Sequence, residues 1–109
     1  MPRRYFGEFE HVLLYAVLNL QDDEHGASGP TIRKLIEIRT GRVVSPGAIY
    51  TALDRLERGG FVRSELGEPT PERGGKRKRM YRMRAAGSAA LAAAESALTQ
   101  MARPARARN

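Results

Sequence analysis

The chain has 109 residues, and 19 Lys and Arg residues against 12 Asp and Glu give it a formal net charge of +7. A chain of this length buries enough surface for one modest core, so we expect a single small basic domain. The sequence contains no cysteine and two histidines, which excludes disulfides, thiolate metal sites, cysteine nucleophiles and a histidine metal cage.

A first helix is predicted over residues 6–20, where apolar residues recur at the spacing of one helical face. A polar loop follows it. Ser28 and Pro30 then supply the cap and the first-turn proline of a second helix, expected over residues 31–40. Gly41 can adopt the left-handed conformation that ends a helix.

A third helix is predicted to begin in the same way, with Ser45 as its cap and Pro46 in its first turn, and to end at Gly59. One side of this helix is apolar and is expected to face the core: Ile49, Ala52, Leu53 and Leu56. Because only residues 41–44 separate it from the second helix, the pair is a helix-turn-helix candidate.

A hairpin and a last helix complete the chain. Residues 61–66 and 79–83 have the pattern of half-buried strands and are expected to pair antiparallel. The segment between them, 67–78, contains three glycines and two prolines and predicts a long flexible tip. Residues 85–102 are rich in alanine and predict a fourth helix, which Pro104 ends.

These elements predict a fold that is mostly α with a small β-hairpin. The order of elements is that of a winged helix-turn-helix domain, which we assign to residues 1–84. Residues 85–103 are then a C-terminal dimerisation helix, and residues 104–109 are a flexible basic tail.

Positive charge is concentrated in the hairpin, since residues 61–84 hold eight of the 19 basic residues and three of the 12 acidic ones. A localised basic patch favours a polyanionic partner. The major groove of B-DNA admits one helix, while basic side chains on an extended loop can neutralise phosphates. We therefore predict a DNA-binding surface formed by Ser45, Pro46, Gly47, Ala48, Tyr50, Thr51, Arg55, Lys76, Arg77, Lys78 and Arg79.

One charge on the third helix does not suit a DNA contact. Asp54 is unfavourable close to a phosphate, so we expect it to face away from DNA or to pair with Arg58 one turn later.

The stretch SPGAIYTALDRLERGGFV at residues 45–62 resembles the recognition-helix signature of PadR-like transcriptional regulators, S-P-G-x-I-Y-x-x-L-x-R-L-E-x-x-G-L followed by a hydrophobic residue. A basic, glycine-rich hairpin tip, the strand residues 81–83, and Gly87 followed by Leu91 extend the resemblance to about residues 6–101. The resemblance implies a dimeric repressor of a palindromic operator. It places Tyr50 at the DNA backbone and makes the basic run (Lys76, Arg77, Lys78 and Arg79) part of the wing.

Three features depart from the family pattern. Arg84 stands where the family often has a threonine cap, and the tip is long and carries Pro69 and Pro71. The chain also lacks the second effector domain of longer members, so it resembles the short subgroup.

The fourth helix is too poor in large apolar residues for stable packing in a monomer, whereas its small residues permit close helix approach. We therefore predict a homodimer built from the first and fourth helices. Its interface is expected to contain Phe9, Leu13, Leu91, Ala94, Leu98 and Met101.

The resemblance also suggests that Tyr5 and Tyr15 line a pocket for a small aromatic effector against the fourth helix, although aromatic residues on a helical face more often belong to the core. His11 is expected at the surface or an interface. The acidic residues 22–24 lack the ligand spacing of a calcium loop, and we expect no cofactor or metal.

The competing function is a winged-helix module that binds RNA or a protein partner, because this scaffold is reused for many purposes. An enzyme is disfavoured, since the sequence offers neither a Ser-His-Asp arrangement supported by context nor a phosphate-binding glycine loop. The longest apolar runs, such as residues 12–18, are far shorter than the roughly 20 residues that span a bilayer. Residues 1–8 do not resemble a signal peptide, so we expect a cytoplasmic protein.

Overall fold

The structure, a computed structural model, describes residues 6–69 and 77–105. Its elements follow in the order α1 (Glu8–Leu20), α2 (Gly29–Thr40), α3 (Pro46–Arg58), β1 (Val62–Pro69), β2 (Arg77–Met83) and α4 (Ala85–Ala102). The two strands form one antiparallel hairpin. This arrangement confirms the predicted fold class, a mostly helical protein with a small β-hairpin.

The starts of α2 and α3 are fixed by the serines that the sequence indicates. Ser28 Oγ accepts a hydrogen bond from the Thr31 N–H at 3.4 Å, and Thr31 Oγ1 accepts one from the Ser28 N–H at 2.8 Å. Ser45 Oγ accepts from the Ala48 N–H at 3.1 Å. These bonds satisfy amides that have no partner inside the helix. Gly41, with φ of 75°, ends α2 in the left-handed region, as predicted.

The core lies where α1 packs against α2, α3, β2 and α4. All four residues predicted to face inward from α3 are buried there. Leu14 and Val17 of α1 are also completely buried. Burial of a leucine or valine side chain stabilises the fold by about 1.5–3 kcal/mol, so these side chains of α1 contribute substantially to its stability.

Leu13 and Leu91 belong to this core. Leu13 is 0% exposed and Leu91 is 4% exposed within the single protomer. The Leu13 side chain packs wholly inside the chain's own fold, and Leu91 packs there with only its edge at the wall of the space between α1 and α4. This finding corrects their assignment to a partner-facing interface.

The remaining residues predicted at that interface differ in exposure. Phe9 and Ala94 are half-buried, whereas Leu98 and Met101 are 68% and 83% exposed. The second half of α4 therefore carries large apolar side chains that nothing in the described part of this protomer covers.

The hairpin is longer than the sequence predicts, and the tip between its strands is correspondingly shorter. The strands pair from Val62 opposite Met83 to Pro69 opposite Arg77, with a register shift after Leu66. The Arg77 guanidinium Nε donates to the Gly67 carbonyl at 2.7 Å. This bond ties the two strands together beyond the predicted strand ends.

The hairpin is also joined to the body on its other edge. The Tyr81 N–H donates to the Ala27 carbonyl at 2.7 Å, and Ser28 forms an isolated bridge with Met80. Because Ser28 also caps α2, one short segment connects β2 to the start of the helix-turn-helix.

The junction between the hairpin and α4 is close. The Arg84 N–H donates to the Phe61 carbonyl at 3.0 Å. A Cβ atom on Gly87 would lie 2.2 Å from that same carbonyl oxygen, so only glycine permits this approach. Arg84 caps α4 without a side-chain hydrogen bond, in keeping with the missing threonine.

Within the described residues, no helix combines the length and the hydropathy that crossing a bilayer requires.

Candidate nucleic-acid interface

The connection between α2 and α3 is held from two sides. The Arg33 Nε donates to the Val44 carbonyl at 2.7 Å. Arg42 forms an ion pair with Glu8 at 2.7 Å, and its guanidinium carbon lies 6.0 Å from the centre of the Phe9 ring. These contacts hold the start of α3 relative to α2 and α1, so the helix-turn-helix is formed within one protomer.

The first turn of α3 is open to solvent. Ser45, Pro46, Gly47 and Ala48 are all exposed. A Cβ atom placed on Gly47 would meet nothing within 4 Å, so no other part of the described chain covers this turn. Small residues and the positive end of the helix dipole allow a negatively charged partner to approach the backbone closely.

The outward face of α3 is polar, as predicted from the sequence. Tyr50, Thr51, Asp54, Arg55 and Arg58 are exposed along it. Asp54 pairs with Arg58 at 3.1 Å, which confirms the predicted i, i+4 partner. Since this pair is neutral as a unit, Arg55 supplies the net positive charge of the face.

The basic run sits at the start of β2. Arg77 and Arg79 are exposed and Lys78 is half-buried. Lys76 lies outside the described residues, as do residues 70–75 of the predicted tip. The described members of the run thus present positive charge along the strand that leads back from the tip.

A hydrogen-bond network that the sequence does not reveal joins the hairpin to α3. The Glu57 carboxylate accepts from the Ser64 N–H at 3.1 Å and from the Ser64 hydroxyl at 2.8 Å. Arg79 in turn donates to Ser64 Oγ at 3.2 Å. The network fixes the orientation of the hairpin relative to α3. Only the pairing register of the strands, which places Arg79 near Ser64, could have indicated it.

Tyr81 lies next to this network and is 4% exposed. Burial, and after it the nearby Glu57 carboxylate, raise the pKa of Tyr81 to about 12, against the opposing charge of Arg79. The tyrosine therefore stays neutral at any physiological pH.

A cavity of about 530 Å³ lies between α1 and α4. Its wall includes Tyr15 and Leu18 of α1 and Glu95 and Thr99 of α4. The Tyr15 hydroxyl donates to Glu95 Oε2 at 2.6 Å, and this hydrogen bond raises the pKa of Tyr15. Tyr15 is therefore a cavity-wall residue and not part of the core, while Tyr5, its predicted companion, lies outside the described residues.

His11 is less exposed than expected from the sequence. It is half-buried, its ring packs edge-on against Phe6 with 5.5 Å between ring centres, and its Nε2 is buried without a hydrogen-bond partner in the described chain. Among the described residues, no three His, Asp or Glu side chains come together as metal ligands would.

A helix-turn-helix whose second helix has an exposed polar face, followed by a basic hairpin bonded to that helix, defines a winged helix-turn-helix protein. The sequence model of the PadR-like family of transcriptional regulators matches residues 13–93. The chain therefore belongs to this family of transcriptional regulators.

Solved structures with the same fold agree with this assignment. A transcriptional regulator from Thermoplasma acidophilum is 25% identical with a TM-score of 0.68, covering 87% of this chain and 88% of that one. A transcriptional regulator from Clostridium thermocellum is 27% identical with a TM-score of 0.63, covering 84% and 85% of the two chains.

The Bacillus subtilis PadR protein in complex with operator DNA is 16% identical with a TM-score of 0.61, covering 93% of this chain and 51% of that one. The chain thus spans about half the length of that regulator. Among curated proteins, none matches the chain in sequence.

Proposed function

We propose that the protein is a repressor that binds a palindromic operator in double-stranded DNA as a symmetric dimer. The observation that carries the proposal is the structure of α3. The four apolar residues of its inward face are buried and its polar side is exposed, while the Glu57 network attaches the basic hairpin to the same helix. One rigid unit therefore offers both a helix for the major groove and cations for the flanking phosphates.

Different residues of this unit are proposed to do different work. The small residues 45–48 let the start of α3 approach the DNA backbone closely. The hydroxyls of Tyr50 and Thr51 donate to phosphates, and Arg55 donates to a phosphate or to guanine. The basic run neutralises phosphates whatever the sequence.

The operator-bound structure of the Bacillus subtilis protein supports this proposal, because that chain has the same fold. In a symmetric dimer, the two α3 helices would enter successive major grooves about 34 Å apart. Such a geometry requires an operator whose half-sites repeat at one helical turn.

Fluorescence anisotropy can test both specificity and the division of roles. The duplex is DNA from the region upstream of the protein's own gene, compared with a scrambled duplex of the same composition. We expect tighter binding to the upstream duplex, with an affinity that falls steeply as salt increases. Equal affinity for both duplexes would show that binding is not specific.

Replacing Lys76, Arg77 and Lys78 together by alanine is expected to weaken binding to both duplexes alike. Each lost phosphate contact makes the negative slope of log affinity against log salt shallower by about 0.9. Thr51→Ala and Arg55→Ala are expected to reduce the preference for the upstream duplex as well. If both sets of variants change affinity and preference equally, the proposed division of roles is wrong.

The proposed dimer accounts for the exposed apolar end of α4. Leu98 and Met101 are the two most exposed large apolar side chains on that helix, and a second copy of α4 and α1 would cover them. Their burial between copies would release ordered water and stabilise the pair.

We further propose that a small aromatic molecule releases the repressor by binding in the cavity between α1 and α4. The Tyr15 ring supplies an aromatic surface, and the Glu95 carboxylate accepts hydrogen bonds from a ligand that displaces the tyrosine hydroxyl. Isothermal titration with a panel of aromatic compounds tests this role. The Glu95→Gln variant is expected to have a lower affinity for any ligand that donates a hydrogen bond to the carboxylate. A panel in which no compound binds the protein or changes its DNA affinity would contradict it.

A further inference from the structure

We propose that Gly29 is a positioning residue for DNA binding: the absence of a side chain at the first residue of α2 provides the seat that holds Tyr50 in place. This inference rests on the proposed function, since Tyr50 is one of the residues proposed to contact phosphate. Gly29 itself is not among the residues predicted to form the DNA-binding surface.

The contact is unusually close. A Cβ atom on Gly29 would lie 2.2 Å from the Tyr50 hydroxyl oxygen, 2.4 Å from Cζ and 2.9 Å from Cε1. These distances are well below van der Waals contact, so the outer half of the ring occupies the space that any side chain at residue 29 would fill. The ring therefore lies across the first turn of α2.

The backbone at residue 29 does not itself require glycine. The glycines with positive φ in the described chain are Gly26, Gly41 and Gly60, and Gly29 is not among them. The cap of α2 is made by the side chains of Ser28 and Thr31. Alanine stabilises a helix more than glycine does. The reason for a glycine at residue 29 is therefore the space that the Tyr50 ring needs.

The seat restricts where Tyr50 can point. Tyr50 is 42% exposed, and the atoms that meet the missing Cβ are at the far end of its side chain. A methyl group at residue 29 therefore displaces the ring outward by rotation of two torsion angles, and the helix itself keeps its place. Gly29→Ala is expected to fold normally while presenting the Tyr50 hydroxyl in the wrong position.

A double-mutant cycle tests this coupling. DNA affinity is measured for the wild-type protein, Gly29→Ala, Tyr50→Ala and the double variant. We expect each single variant to lose about 10- to 100-fold in affinity, the effect of one lost hydrogen bond to a charged group. The double variant is expected to bind as Tyr50→Ala does. Losses that multiply in the double variant, or wild-type affinity in Gly29→Ala, would overturn the proposal.

Two controls separate positioning from damage to the fold. The melting temperature of Gly29→Ala is expected to equal or exceed that of the wild type, because alanine favours the helix. Pro30→Ala alters the neighbouring exposed residue of the same turn, and we expect it to leave DNA affinity within about twofold of the wild type. A lowered melting temperature in Gly29→Ala, retained in the double variant, would assign Gly29 a purely structural role.

The seat can also be observed without DNA. Protons on Gly29 that lie against the Tyr50 ring are expected to show ring-current shifts in the NMR spectrum, and Tyr50→Ala should abolish them. Their absence from the wild-type spectrum would disprove the seat. A wild-type protein that shows these shifts but binds no DNA would instead disprove the proposed function and, with it, the DNA role of Gly29.

Discussion

The region around α3 and the second half of α4 differ in how far the chain itself covers and holds them. Around α3, Arg33 bonds to the connection before it and Glu57 bonds to the hairpin after it, so the surface proposed to meet DNA is organised within one protomer. Beyond Leu91, in contrast, α4 carries Leu98 and Met101 exposed to solvent. The surface proposed to meet DNA is thus formed within one chain, whereas the far half of α4 leaves exposed the apolar side chains that the proposed dimer would cover.

The largest expected effect is on dimerisation, and it comes from placing charges on the exposed apolar end of α4. We expect Leu98→Glu combined with Met101→Glu to raise the dimer dissociation constant at least about 100-fold, because it buries two charges in an apolar contact. Light scattering coupled to size exclusion reports the mass, and circular dichroism is expected to show unchanged helix content.

The matched control is Ala89→Glu, which adds a charge at an exposed position of the first half of α4. It is expected to remain dimeric. A wild-type protein that stays monomeric at micromolar concentration would show that no second copy covers the apolar end of α4, and the proposed dimer would be wrong.

An intermediate effect, on the pH dependence of stability, is expected from Tyr81, which is buried next to the Glu57 network. Its pKa of about 12 in the folded chain exceeds the usual value of 10.0. Between these pH values the unfolded chain loses the proton while the folded chain keeps it, so the free energy of unfolding falls as pH rises. The expected loss is on the order of 2 kcal/mol.

Urea denaturation from pH 9 to about pH 12 measures this loss. Tyr81→Phe has no ionisable hydroxyl, so the stability of this variant is expected to depend less steeply on pH than that of the wild type. Identical pH dependence in the two proteins would show that Tyr81 does not retain its proton in the folded chain.

The smallest expected effect comes from loosening the bond between α3 and the hairpin. Glu57→Ala leaves the Ser64 N–H and hydroxyl without their acceptor, and we expect the free energy of unfolding to fall by about 1–2 kcal/mol. Glu65→Ala removes an exposed glutamate of β1 and is expected to change stability by less than about 0.5 kcal/mol. Equal losses of unfolding free energy in the two variants would mean that the Glu57 network does not stabilise the contact between α3 and the hairpin.

Local signals predicted much of this fold. Ser45 with Pro46 gives the start of α3, and Ser28 gives the cap of α2, because capping depends on residues a few positions apart. The inward face of α3 was also predictable, since its apolar residues follow the helical period. The same reasoning placed an exposed polar face on α3 as the candidate site.

Contacts between distant residues were not predictable in this way. The Glu57 network depends on strand register, and the Tyr50 ring meets Gly29 only after α3 has packed against α2. Leu13 and Leu91 were assigned to a partner because helical periodicity identifies an apolar face but does not say which neighbour covers it. Burial in the folded protomer decides between the two.

The junction at Gly87 makes α4 a lever. No flexible linker separates it from the hairpin, because Arg84 bonds to the Phe61 carbonyl and Gly87 packs against that same group. With 18 residues, α4 is about 27 Å long, so a rotation of about 10° at the junction moves its far end by about 5 Å. In the proposed dimer, if it is held together at those far ends, a small change of angle at Gly87 would become a change of several ångströms in the spacing of the two α3 helices.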